Sequence, residues 1–269
     1  MTTVSYESPA GDLWTLITPG GSRDLPVFLA DEDLSGWSGR VSRSDSQSVT
    51  RLGARSVGWK LDPLKIDIPY VAQALSGTVD TVLREWRRAW DFEQPGDYGY
   101  PTVVSSGKLW VADGGESYWT PVCDPEFPEL PKYSQRVKAA EETMSCRSMV
   151  GHWFGATEHF EGTVTIRTRG DRPLSPRLRL AWDGSATSVT FPSGLKLNLP
   201  NVGGRRFINL DRGMSGQVTR EDGSVDTGGW SALQGLVHGL SLRPGDTSDW
   251  VLGSGLTLEV TPRFLTPWR

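Results

Sequence analysis

The chain has 269 residues, 37% hydrophobic and 22% charged, which is enough to bury a real core and more than a single domain usually holds. Its 28 Lys and Arg against 32 Asp and Glu give a net charge of −4. The basic residues are scattered along the sequence, so it lacks the basic stripe of a nucleic-acid binder.

The N-terminal residues Met1–Glu7 have neither a basic nor an apolar leader segment, and nowhere do roughly 18 apolar residues run together. The expectation is a chain that neither spans a membrane nor carries a standard export signal. Gly and Pro are frequent and evenly spread, which cuts the chain into short pieces suited to strands and turns.

In chain order, Leu64-Lys65-Ile66-Asp67-Ile68 alternates apolar and polar residues, as a half-buried strand does. A helix is predicted over 78–93. Val79, Val82, Leu83, Trp86 and Trp90 fall on one stripe, Arg84, Glu85, Arg87 and Arg88 lie off it, Thr78 can cap the start, and Pro95-Gly96 follows the end. Strands are then predicted at Thr102-Val103-Val104, Lys108–Val111 and Tyr118–Val122, and a turn-rich extended stretch at Asp124–Pro131. Lys138–Met144 fits either a short helix or a strand.

From Thr163 the period-2 pattern dominates, at Thr163–Arg167, Arg177–Trp182, Leu195–Leu199 and Leu256–Val260, with a hairpin turning on Asp222-Gly223. This half reads as an antiparallel β-sandwich. The fold class expected is therefore mainly β: an N-terminal β-sandwich-like domain with one amphipathic helix over 1–155, then a C-terminal antiparallel β-sandwich over 156–269. No period of 20–50 residues repeats, which argues against a propeller or solenoid.

The chemistry-bearing patterns are absent. Neither the phosphate loop Gly-x4-Gly-Lys-Ser/Thr, nor Gly-x-Gly-x-x-Gly, nor the nucleophile elbow Gly-x-Ser-x-Gly occurs. With only His152, His159 and His238, there is little material for a catalytic triad. His152, Glu158 and His159 do not have the His-Glu-x-x-His spacing that puts two ligands on one helical face, and locally satisfied polar groups are the plainer reading.

Asp31-Glu32-Asp33 lacks the spaced acids and glycine of a calcium loop and reads as a solvated acidic turn. Cys123 and Cys146 are too few for a disulfide framework and have no zinc-site spacing; whether they lie near each other stays open. The expectation is no catalysis, no cofactor and no metal. Twelve Trp are the one oddity of composition. Core packing accounts for most of them, while Trp37, between Ser35-Gly36 and Ser38-Gly39, is the candidate for an exposed contact.

Several landmarks, taken in order, resemble the distal tail family of siphophages, the phages with long non-contractile tails, and particularly the minor tail proteins of phages that infect actinobacteria. They are Leu25–Leu29 through Gly53-Ala54-Arg55 to Ile66-Asp67-Ile68; the helix Leu83-Arg84-Glu85-Trp86-Arg87-Arg88-Ala89-Trp90 followed by Pro95-Gly96 and Gly107–Val111; Gly162-Thr163-Val164, Leu180–Gly184 and Ile208–Asp211; and Pro244-Gly245, Val260-Thr261-Pro262 and the closing Pro267-Trp268-Arg269.

What the resemblance implies is a virion protein of the tail tip, assembled in the host cytoplasm. Its N-terminal domain would form a hexameric ring continuous with the tail tube, and a galectin-like C-terminal sandwich would face outward. Implied partners are further copies of the chain, the tail tube protein, the end of the tape-measure protein and other tail-tip proteins. The wealth of Trp departs from better-known members and leaves open a second reading, a carbohydrate-binding module for host cell-wall glycan. Arg87 and Arg88, on the polar face of the helix, are candidate charged contacts to a neighbouring subunit, with a simply solvated face as the alternative.

Overall fold

The structure is a computed structural model and describes residues 2–21, 24–30, 34–47, 54–90, 106–129, 137–211, 216–233, 237 and 242–268. They form two compact units: the described residues of 1–154 together with 265–268, and Gly155–Phe264. The expectation of a mainly β protein holds.

The first unit contains strands β1 (Thr3–Glu7), β2 (Leu13–Ile17), β3 (Val27–Leu29), β4 (Val41–Gln47), β5 (Ala54–Leu61), β6 (Leu64–Gln73), β7 (Gly107–Asp113), β8 (Glu116–Glu126), β9 (Ala139–Ser148) and β10 (Trp153–Phe154), and helix α1 (Val79–Ala89). An antiparallel sheet runs in the order β2-β1-β7-β8-β9-β6-β3, with β10 also paired to β8. Its first and last strands, β2 and β3, come close together, so the sheet curls around the core. The inward residues obey the strand period, with Val4 and Tyr6 on β1, Ile66, Ile68 and Tyr70 on β6, and Leu109 and Val111 on β7 all buried.

Helix α1 forms because its stripe has somewhere to go: Val79, Val82, Leu83 and Trp86 are buried, and the Thr78 hydroxyl accepts from the Thr81 N–H at 3.3 Å. The helix ends earlier than predicted, at Ala89 with Trp90 as its C-cap. Trp90 still lies on the buried stripe, stacked on Tyr6 with ring centroids 3.8 Å apart, and the Tyr6 hydroxyl donates to the Ala89 carbonyl. The apolar pattern therefore continues through the cap and cannot mark where the helical backbone stops.

Lys138–Met144, left open between helix and strand, belongs to β9, which pairs with β6 from Leu64↔Ser148 to Gln73↔Ala139. The turn-rich stretch expected from Asp124 begins inside β8, at an irregularity between Cys123 and Glu126 where Asp124 has φ 50°. The predicted strand 102–104 and the acidic turn 31–33 lie outside the described residues.

The second unit contains β11 (Glu158–Phe160), β12 (Thr163–Arg167), β13 (Arg177–Trp182), β14 (Thr187–Thr190), β15 (Lys196–Leu199), β16 (Arg206–Asn209), β17 (Val218–Arg220), β18 (Thr247–Leu252), β19 (Leu256–Thr261) and β20 (Arg263–Phe264), with helix α2 (Thr227–Leu233). Two antiparallel sheets, β11-β19-β13-β16-β17 and β12-β18-β14-β15, make the sandwich expected from the period-2 runs. Each sheet turns one face inward: Leu178 and Leu180, Val189, Leu197 and Leu199, Ile208, Trp250, Leu252, Leu256 and Leu258 form one apolar cluster. Burying a side chain of this size contributes about 1.5–3 kcal/mol.

The hairpin at Asp222-Gly223 is present, with Thr219 bridged to Val225 and the Asp222 carboxylate accepting from the Ser224 N–H and hydroxyl. Helix α2 is additional to the sequence reading.

Candidate interaction surfaces

Trp37 is not an exposed contact. It is 1% accessible, and its indole N–H donates to the Asp67 carbonyl at 3.0 Å. The flanking glycines, read as loop punctuation, bring it in. A Cβ on Gly36, whose φ is +77°, would fall 1.5 Å from the Lys65 carbonyl oxygen, so the loop lies directly on the β6 backbone. Trp37 stacks near Trp153 at 5.7 Å and meets Trp268 at 6.0 Å, and its carbonyl accepts from the Trp153 indole. Pro267 and Trp268 thus pack onto the first unit.

The two helix arginines part company. Arg87 turns inward: its Nη2 donates to the Pro128 carbonyl at 2.8 Å and reaches the Glu142 carboxylate at 3.3 Å, and its guanidinium sits 4.9 Å from the Phe127 ring centroid. Glu142 is buried and also accepts from the Tyr70 hydroxyl at 2.6 Å. Arg87 therefore clamps residues 127–128 to the helix and leaves little for a neighbour, whereas Arg88 is exposed and remains available.

Strands β4 and β5 stand apart from the main sheet as a two-stranded ribbon, in register from Val41↔Leu61 to Gln47↔Ala54 with one shift between Ser44 and Asp45. Its base is tied by the Ser42 hydroxyl to Asp62, and Lys60 pairs with Asp62 at 3.3 Å. Ser42 is the main reason the Asp62 carboxyl sits below the usual range. Trp59, on β5, is 49% exposed. Each ribbon strand pairs only with the other among the described residues, so each keeps an outer row of backbone donors and acceptors. An isolated two-stranded ribbon is marginal in water.

On the outward face of β1, β7 and β8, Glu7 accepts from the Lys108 ammonium at 2.7 Å and the Trp110 indole at 2.9 Å. These bonds, led by that from Lys108, hold the Glu7 carboxyl below its usual range. Trp110 faces Trp119 across the strands at 6.0 Å.

The remaining chemistry-bearing residues do not converge. His152 belongs to the first unit, within reach of the Val150 carbonyl and against Phe154, while His159 lies exposed on β11 and His238 falls outside the described residues. Among the described residues, no three His, Cys, Asp or Glu side chains gather where a metal could sit, and no helix is long and apolar enough to cross a membrane. Cys123 and Cys146 lie on the paired strands β8 and β9 as free thiols. Burial pushes the Cys123 thiol up to about 11, and that of Cys146 higher still.

No family model and no curated protein matches the sequence. Solved structures do match. The Dit protein of phage SPP1, described as a paradigm of the hub adsorption apparatus in phages infecting Gram-positive bacteria, aligns with a TM-score of 0.59 at 9% identity, over 98% of this chain and 100% of that one. Chains of the phage p2 baseplate in its activated conformation, with Sr or with Ca, align at 0.52 and 0.51, each at 7% identity over 97% of this chain and 98% of theirs. At these identities the likeness is one of fold, and it runs through both units.

Proposed function

We propose that the protein is a structural component of a phage tail tip of the distal tail type, whose first unit closes into a hexameric ring joining the tail tube to the tail-tip apparatus, and that it catalyses no reaction. The observation that carries this reading is the β4–β5 ribbon. Among the described residues it has two unpaired outer edges on an element too small to be stable alone, beside a sheet whose own end strands already face each other. Pairing ribbon edges with neighbouring copies satisfies those groups, and closed cyclic symmetry satisfies them in every copy. The shared fold with hub and baseplate chains supports the same reading. The tail tube, the end of the tape-measure protein and other tail-tip proteins are then its partners.

The test is negative-stain electron microscopy with light-scattering mass on the full chain, beside a variant in which residues 42–60 are replaced by a short turn. Six-fold rings are expected from the native protein, and monomers with an unchanged β-rich circular dichroism spectrum from the variant. A native protein that stays monomeric at every concentration, or rings that survive removal of the ribbon, would overturn the proposal.

A further inference from the structure

At one end of the second unit, turns from both sheets line a half-open cavity of about 570 Å³. The Gly253-Ser254-Gly255 turn between β18 and β19 forms one wall, and Glu161-Gly162, Asp183 and Arg205 form the others. The floor is apolar, made by Ala181, Trp182, Leu252 and Leu256, each at most 5% exposed. The size lies within the range of small-molecule sites, about 300–1,000 Å³.

Glycine builds the walls. A Cβ on Gly255 would fall 2.3 Å from Asp183 Oδ2, and one on Gly253 would fall 2.3 Å from Thr187 Oγ1. The turn therefore packs flush against the ends of β13 and β14, and a side chain at either position would displace the neighbouring group.

The polar groups are held in place by bonds that leave capacity over. Asp183 Oδ1 accepts from the Ser185 N–H at 2.8 Å and the Ser185 hydroxyl at 2.6 Å, which orients the carboxylate beside Gly255. Glu161 Oε1 accepts from the Thr257 hydroxyl at 2.8 Å. Arg205 stands 5.2 Å from the Phe207 ring centroid and pairs with Glu221 at 4.0 Å.

The lining thus offers two carboxylates as acceptors, one guanidinium as donor, the Ser254 hydroxyl as either, and the Thr257 hydroxyl, whose proton goes to Glu161, as an acceptor. Two carboxylates against one guanidinium repel a phosphate-bearing ligand, and a purely apolar ligand would strip water from charged groups without replacing its bonds.

We infer that this cavity binds a neutral, polyhydroxylated ligand, one saccharide unit of a polysaccharide. Its hydroxyls donate to Asp183 and Glu161 and accept from Arg205, while one C–H face rests on the apolar floor. The inference does not depend on ring formation, so the two stand or fall separately.

Saturation-transfer NMR and calorimetry on the full chain test it, with maltotriose, lactose and chitotriose as neutral probes and glycerol phosphate as the anionic one. Asp183→Asn keeps an acceptor oxygen for the Ser185 turn while removing the charge, and Arg205→Ala alters an exposed side chain, so both variants keep the fold. Trp110→Ala, in the first unit, is the control. At least one neutral oligosaccharide is expected to bind, with affinity falling about tenfold or more in each cavity variant and unchanged in the control. The inference is overturned by retention of none of the three saccharides, by binding that both cavity variants leave intact, by a loss confined to Trp110→Ala, or by preference for glycerol phosphate.

Discussion

The two units bury paired carboxylates alike but arrange their strands differently. In the second, two sheets close over one apolar cluster, and Glu259, only 7% exposed, accepts from Arg179 at 2.6 Å. In the first, Glu142 likewise lies between Tyr70 and Arg87, and a separate ribbon has outer edges unpaired among the described residues. On the proposed reading, the loops of the closed sandwich serve recognition, whereas the ribbon of the first unit is completed by other copies of the chain.

The largest expected effect comes from the aromatic knot that holds α1. Trp86 is fully buried and meets Tyr6 at 5.6 Å, Trp14 at 5.3 Å and Trp90 at 5.5 Å. Trp86→Ala is expected to destabilise the first unit by about 3–5 kcal/mol. Differential scanning calorimetry should then show one transition moving to lower temperature and a second, belonging to the sandwich, staying in place. If both transitions shift together, the two units do not unfold as separate bodies and the contrast between them fails.

A smaller effect tests the interior clamp. Glu142→Ala leaves the Tyr70 hydroxyl and one end of Arg87 without their shared acceptor, at a cost of about 2–3 kcal/mol by chemical denaturation. Replacing both charges, Glu142→Leu with Arg87→Met, should recover part of the loss, because apolar side chains of similar size need no partner. Recovery stays partial, since Arg87 also holds the Pro128 carbonyl.

The same clamp explains what was legible in the sequence. Strands β12 and β13 could be read to their ends because each has a wet face and a dry one, so polarity follows geometry. Strand β9 alternates just as strictly, with Ala140, Glu142, Met144, Cys146 and Ser148 turned inward. Two of those five are polar, however, and Ala139–Met144 is rich in helix formers, so its period was hidden until pairing with β6 decided it.

Helix α2 escaped for the opposite reason. Gly228-Gly229 argue against a helix, and the turn is held by Asp226, which accepts from the Gly229 N–H at 3.1 Å and pairs with Arg206 at 2.8 Å, a contact that only the fold supplies. Trp37 was misplaced because loop punctuation reports backbone freedom and says nothing of burial. The ribbon was invisible as a strand pair because Val41–Gln47 has no apolar alternation to read. The cavity gathers residues from four separate turns, and no spacing in the sequence marks it.

The smallest effect separates the units by pH. Glu7 is ionised and bonded to Lys108 and Trp110, which lowers its carboxyl from an ordinary value of 4.5. A carboxyl depressed on folding adds stability at pH above its unfolded value, and that contribution disappears as pH falls through the lower folded value. Lys108 is partly exposed, so the contribution is screened by solvent and salt. Native protein and Glu7→Gln should therefore differ in the first unit's melting temperature at neutral pH and converge below about pH 4.5 as Glu7 protonates. The sandwich transition should not distinguish the two proteins at any pH, because Glu7 lies on β1, outside Gly155–Phe264. A difference that grows on acidification would reverse the sign and show that Glu7 is stabilised in its neutral form.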